Sequence, residues 1–251
     1  MRKALFAIAI AMLGCKGKPK HRPPPANLTE VDPKAKPTAS LPASAPAPDI
    51  LLPHGNGKPP VKTTEPLPLK TLLTIQQTTY KGFQNQPHAI NPDRGTEVMY
   101  LTEDKPRIAA TVTIAPCSDQ AVLGPCLPIN LGTWTAKTAD LKKMIPSELR
   151  EQPDTKFEVG VQKFHDTDLI YTFQLGQING VKNTGSAAGV PFIAYTYAYI
   201  LYYNDGHNQI RVVAEFKDEA RQTPAEMTAE VQRTDLAATA TAFFDATTQL
   251  W

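Results

Sequence analysis

The chain has 251 residues, three cysteines, 24 prolines and a formal net charge of +2. That length allows one domain with its own core plus non-globular segments. The near-neutral total hides an asymmetry, because residues 67–251 carry 16 Lys and Arg against 20 Asp and Glu, a net of −4. Since Lys and Arg that neutralise phosphates supply most of nucleic-acid affinity, this balance argues against nucleic acid as a partner.

Residues 1–14 have the layout of a secretory signal peptide: Met1, Arg2 and Lys3 form a cationic start, and "ALFAIAIAML" follows as an uncharged, mostly apolar run. At about 1.5 Å per helical residue, ten residues cover roughly 15 Å against a hydrocarbon core of about 30 Å, so the run is too short to span a bilayer. Cys15 comes directly after Gly14, and "MLGC" resembles the lipobox of bacterial lipoproteins. The commonest lipobox has Leu at the third position before Cys and a small residue next, where this chain has Met12 and Leu13. The resemblance implies cleavage before Cys15, acylation of that residue, and a partner in the lipid bilayer. Two or three acyl chains hold a protein firmly where one holds it only marginally. Lys16 stands where an Asp resembles the inner-membrane retention signal, so the expected address is the bacterial cell envelope with the outer membrane preferred.

From Cys15 to Pro66 the composition is that of a disordered tether. Thirteen prolines lie between Lys18 and Pro66, and no Phe, Trp or Tyr does. Such a segment cannot bury enough apolar surface to offset its ordering entropy. About fifty residues reach roughly 40 Å as a coil and about 150 Å as polyproline II.

Residues 67–251 hold 18 of the 19 aromatic residues and read as a single domain. "RIAATVTIA" (107–115) is a strand by its β-branched content. Cys117 and Cys126 follow in "PCSDQAVLGPC". In an exported protein they are the pair left once Cys15 is lipidated, and an eight-residue gap is not the two-residue spacing of redox or zinc motifs, so a disulfide is expected. "TADLKKMI" (138–145) reads as a helix capped by Thr138 and ended by Pro146. "FEVGVQKF" and "LIYTFQL" are strands around the polar turn "HDTD", and "YTYAYILYYNDGHNQIRVVAEF" (195–216) is a hairpin turning at Asp205-Gly206. "RTDLAATATAFFDATTQLW" closes the chain as a helix capped by Thr234 or Asp235, with Leu236, Ala240, Phe243, Phe244 and Thr247 at helical spacing. This order is an α+β fold, an antiparallel sheet with covering helices. From Phe157 to Trp251 it resembles the Mog1/PsbP-like α/β/α sandwich, whose members mostly act as binding or assembly accessories. That resemblance implies no catalytic residue.

The tyrosine row raises a choice between a ligand platform and the buried side of a sheet. A two-residue turn at Asp205-Gly206 pairs Tyr199 with Val212, Leu201 with Ile210 and Tyr197 with Ala214. The tyrosines then share a face with the most apolar residues of the partner strand, beneath the terminal helix, which favours the core. A base-stacking platform would also need a basic groove that this domain lacks.

If the four strands run consecutively, both tight turns fall at one end of the sheet and place His165, Asp166, Asp168, Asp205 and His207 along one rim. Imidazole and carboxylates can ligate a metal or act as acid and base, although turns use Asp and Gly in any case. No G-x-S-x-G, H-E-x-x-H, Walker A or dinucleotide pattern occurs. No cofactor is indicated. The glycine-rich stretch Gln177–Gly189 reads as a long loop, a form that often carries binding. The expected function is that of an envelope-anchored lipoprotein with a non-catalytic binding or assembly domain for an envelope protein or ligand. The alternative is a tethered hydrolase or metal-dependent enzyme using the His165/His207 rim.

Overall fold

The structure, a computed structural model, describes residues 52–103, 107–143, 145, 157–182, 188–217 and 229–251, the last with side chains from Asp235 onward. The signal peptide, Cys15 and the tether as far as residue 51 lie outside the described residues, as do Met144 and Pro146.

The elements run α1 (Leu69–Gln77), β1 (Phe83–Pro87), β2 (Thr96–Thr102), β3 (Ile108–Pro116), α2 (Leu131–Lys143), β4 (Glu158–Phe164), β5 (Thr167–Val181), β6 (Pro191–Asn204), β7 (Asn208–Phe216) and α3 (Ala229–Thr248). The strands form one sheet in the order β1-β2-β3-β7-β6-β5-β4 with every neighbour antiparallel. After β3 in the interior, the chain crosses one face through α2 and re-enters at the far edge as β4. From there each strand returns beside its predecessor until β7 closes on β3. This is an α+β architecture with helices on both faces.

Residue parity sorts the two faces. Tyr100, Ala110, Ala214 and Tyr199 follow one another across β2, β3, β7 and β6 on one face. There Tyr197, Tyr199, Leu201, Tyr203, Ile210, Val212 and Ala214 form one buried cluster with Leu72 and Ile75 of α1 and Leu236, Ala240, Phe243 and Phe244 of α3. Tyr197 is 0% exposed and Tyr199 4%, so the tyrosine row is core. The Tyr199 hydroxyl donates to Gln162 Oε1 at 2.8 Å, and Gln162 Nε2 donates to Thr241 Oγ1 of α3 at 2.8 Å. The opposite face is covered in part by α2, where Trp134 packs with Ile170 and Tyr202; the Trp134 and Tyr202 ring centroids lie 4.4 Å apart.

The β6–β7 turn sits one residue later than expected. Tyr199 pairs with Ala214 and Leu201 with Val212, and the chain turns at Gly206-His207 with Gly206 at φ 97°. Glycine at the first central position with positive φ suits a type II′ turn, and Asp205 holds it by accepting from the His207 and Asn208 amides at 2.9 and 2.8 Å. The pairing differs by two residues, an even number, so every side chain keeps its face.

Both helix starts lie upstream of the expected ones. α2 begins at Leu131 because Asn130 caps it, its Oδ1 accepting from the Thr133 amide at 2.8 Å; Thr138 is a buried mid-helix residue. α3 begins at Ala229, which leaves Thr234 and Asp235 inside it. Three elements, α1, β1 and β2, are additional to the sequence expectation.

Cys117 and Cys126 stand at disulfide distance, with Cα atoms 4.8 Å apart. Their loop is also pinned by buried Gln209, whose Nε2 donates to Pro116 O at 3.2 Å and Gly124 O at 2.5 Å while Oε1 accepts from the Tyr202 hydroxyl at 2.6 Å. Closing such a loop stabilises a fold by about 2.7 kcal/mol on the chain-entropy model. Reduction of the exported domain should therefore lower its thermal midpoint by several degrees in calorimetry, and native thiol labelling should find neither sulfur free. Truncating Phe243, wholly buried, to Ala should cost about 3–5 kcal/mol in urea unfolding.

Candidate functional site

The rim expected from the sequence forms where β4 turns into β5 and β6 into β7. His165 and Asp166 make the first turn, with His165 in the left-handed region at φ 52° and its ring edge-on to Phe164 at 4.7 Å. Asp168, two residues on, lies 2.5 Å from Lys163 Nζ. Asp166, Asp168 and Asp205 line one groove with Pro59, Lys62 and Tyr203, whereas His165 and His207 lie outside its lining. Among the described residues no three His, Cys, Asp or Glu side chains are placed to hold one metal ion.

Asp205 has a different occupation. Residues 52–66, which composition assigns to the tether, run as a strap against the domain, and the turn side chains hold them. Asp205 Oδ2 accepts from the Thr63 amide at 2.7 Å and the Thr63 hydroxyl at 2.5 Å. Buried Asn208 donates through Nδ2 to Thr63 Oγ1 at 2.7 Å and Glu65 O at 2.8 Å, and its Oδ1 accepts from the Leu67 amide at 2.9 Å. Farther back, the Gly57 amide donates to Asp245 Oδ2 of α3 at 3.3 Å. Pro53, Pro60 and Leu67 are buried along this path. Burial pushes the Asp205 carboxyl up, but the hydrogen bonds from Asn208, Thr63 and His207 outweigh it and hold the group below the ordinary aspartate range.

A second polar cluster, not singled out by sequence patterning, joins β2, β3 and β7. Glu97 accepts from Thr113 Oγ1 at 2.9 Å, stands 3.1 Å from His88 Nδ1, and lies 3.8 Å from the Arg211 guanidinium. Burial lowers the Arg211 pKa and the Glu97 charge raises it, with burial prevailing. His88, Asn91, Arg94 and Glu97 line an open groove beside Val122. His88 and Glu97 have the chemistry of an acid and base pair, but the Thr113 hydroxyl beside them is already committed to Glu97. Their positions are separated along three strands, so only the strand register brings them together.

The remaining feature is a projecting arm. β5 and β6 pair from Ile170↔Tyr202 out to Val181↔Pro191. β4 follows β5 only as far as Phe173, and β7 follows β6 only from Ala198. Among the described residues, 175–181 and 191–197 therefore pair only with each other, a ribbon about 24 Å long at about 3.4 Å per residue. The first five residues of the stretch expected as a loop, 177–181, are strand. The base of the arm is anchored by Leu175 and Tyr195, which pack on the core cluster, and by the stacked rings of Phe173 and Tyr197, 4.9 Å apart. Toward the outer end Val181, Val190 and Ile193 are 51%, 50% and 51% exposed. Between Asp168 and Asp205 the only charged residue is Lys182.

Scans against protein-family models, the curated proteins and the solved structures find no match to this chain.

Two measurements test the strap. Replacing Asn208 by Ala leaves the Leu67 amide and Glu65 carbonyl without their partner and should cost about 2–3 kcal/mol by denaturant unfolding. The Asp205 pKa is depressed on folding, so its contribution is present above the unfolded aspartate pKa and lost as pH falls through the folded one. Asp205→Asn should thus be less stable than wild type at pH 7 and approach it in stability below about pH 4.

Proposed function

We propose that the chain is a lipid-anchored bacterial envelope protein, attached through acylated Cys15 at the outer membrane, whose C-terminal domain is a non-catalytic binding or assembly module. We assign the domain to the Mog1/PsbP-like sandwich, a reading supported by an antiparallel sheet with helices on both faces and a long final helix after the last strand. The observation that carries the functional reading is the β5–β6 arm. It brings exposed Val181, Val190 and Ile193 together on a ribbon with one charge, in a domain with 20 acidic and 16 basic residues. Exposed apolar groups concentrated on one projecting element mark an interaction site. The turn rim supports the enzymatic alternative less well, because Asp205 is committed to Thr63 and the two histidines stand outside the groove.

A photoreactive residue at Ile193 in intact envelopes should give crosslinked adducts, while the same residue at His165 or His207 should give none. Adducts from the rim alone would overturn the arm as the contact element. Intact-mass analysis of membrane-extracted protein should show a mature chain starting at Cys15 with added acyl mass, and an unmodified soluble chain would remove the anchor.

A further inference from the structure

We infer that the partner of the arm is a second copy of this chain, joined by antiparallel pairing of the outer edge of β5 about a twofold axis at Asn179. The inference rests on the reading of the arm as the contact element and names its occupant.

Any strand edge presents alternating amide donors and carbonyl acceptors, and an antiparallel edge is complementary to its own copy. Natural edges are usually guarded by charge, proline or a bulge. β6 carries Pro191 on the arm, which cannot donate to a ladder. The β5 stretch Gln177-Ile178-Asn179-Gly180-Val181 has no proline and no charge, and among the described residues no strand lies along its outer side. With no charge to read, this edge cannot select a charged partner, and it does not repel its own copy as the −4 domain as a whole does.

A twofold at Asn179 also matches the side chains. Asn179 meets its own counterpart, and a pair of carboxamides can exchange hydrogen bonds because each has both donors and acceptors. Ile178 meets Gly180 of the copy, the position with least bulk. Gly180 is shielded on its own chain by Phe192, whose ring passes so close that a Cβ there would lie 2.6 Å from Cε1. Gln177 meets Val181, and Lys182 faces Gly176 rather than another lysine.

The test uses the mature chain with Cys15→Ser, which carries no acyl group. Sedimentation equilibrium should show a dimer. Asn179→Lys sets like charges directly opposite and should give a monomer whose thermal midpoint equals that of the wild-type chain at dilutions where its dimer dissociates, since Asn179 is exposed. Asn179→Asp should do the same, and mixing the two variants should restore the dimer mass. Asn179→Cys should form an interchain disulfide under mild oxidation where Gln177→Cys does not, because Cα atoms facing each other at the axis stand about 4.5–5.5 Å apart. A chain that is monomeric at all concentrations overturns the inference, as does a dimer untouched by Asn179→Lys or a mixture that stays monomeric. A monomer that still yields Ile193 adducts in envelopes sinks the second copy and leaves the arm as the contact for another protein. A monomer that binds anionic vesicles through the arm replaces the copy with a membrane.

Discussion

Two neighbouring side chains on the last helix hold the sheet together. Phe243 meets Tyr80, Phe83 and Tyr100, with ring centroids 5.3, 5.1 and 4.9 Å away, all on the β1–β2 side. Phe244 meets Phe164 of β4 and Tyr203 of β6 at 5.4 and 5.8 Å. Consecutive helical residues point about 100° apart, so one turn of α3 reaches both halves of a seven-stranded sheet. That reach reinforces the β3–β7 ladder, which joins the β1–β2–β3 half to the β4–β7 half. Several of these contacts are edge-to-face, the arrangement that the aromatic quadrupole favours, and they extend from Tyr80 and β1 to β4 at the far edge.

The same clamp positions the groups that hold the strap at the turn end of the sheet. α3 presents Asp245 beside the strap, and the β6–β7 turn presents Asp205 and Asn208, so residues 57–67 are held from two elements that the clamp fixes relative to each other. Asp205 accepts two hydrogen bonds that shape its own turn and two that capture Thr63. A carboxylate with four donors around it is held in its charged form and is a poor proton acceptor. Its depressed pKa is therefore a sign of structural commitment.

What was legible in the sequence followed from periodicity, and what was not followed from contacts between distant segments. The tyrosine face could be read because period-two alternation survives an even shift in pairing, so even the misplaced turn left Tyr197 and Tyr199 on the buried side. The terminal helix could be read from Leu236, Ala240, Phe243 and Phe244, although its start could not, since Thr234 and Asp235 look like caps and serve as interior residues. β1 escaped because "FQNQP" buries only Phe83, as an edge strand does. α1 escaped because it has Pro68 at its start without a side-chain cap and no acidic residue in its first turn. The strap had a loop composition, and nothing local in "TTEPL" announces that Asn208, more than 140 residues away, will hold it. The His88–Glu97–Arg211 cluster was hidden for the same reason, while the rim was legible as a place because both of its turns are local in sequence.

The arm shows how far a sheet can extend once its base is secured. A free two-stranded ribbon in water is marginal, because too little apolar surface is covered to offset the ordering of two strands. Here the base borrows order from the core through Phe173, Leu175, Tyr195 and Tyr197, and Phe192 covers the gap left by Gly180. Beyond them Val181, Val190 and Ile193 are half-exposed, and among the described residues the edges lack the neighbours that β4 and β7 give the rest of β5 and β6. Any partner that covers those side chains or continues either ladder removes both deficits at once. Binding and the local stability of the arm are then one equilibrium, and occupancy should rigidify the outer half of the ribbon far more than its clamped base.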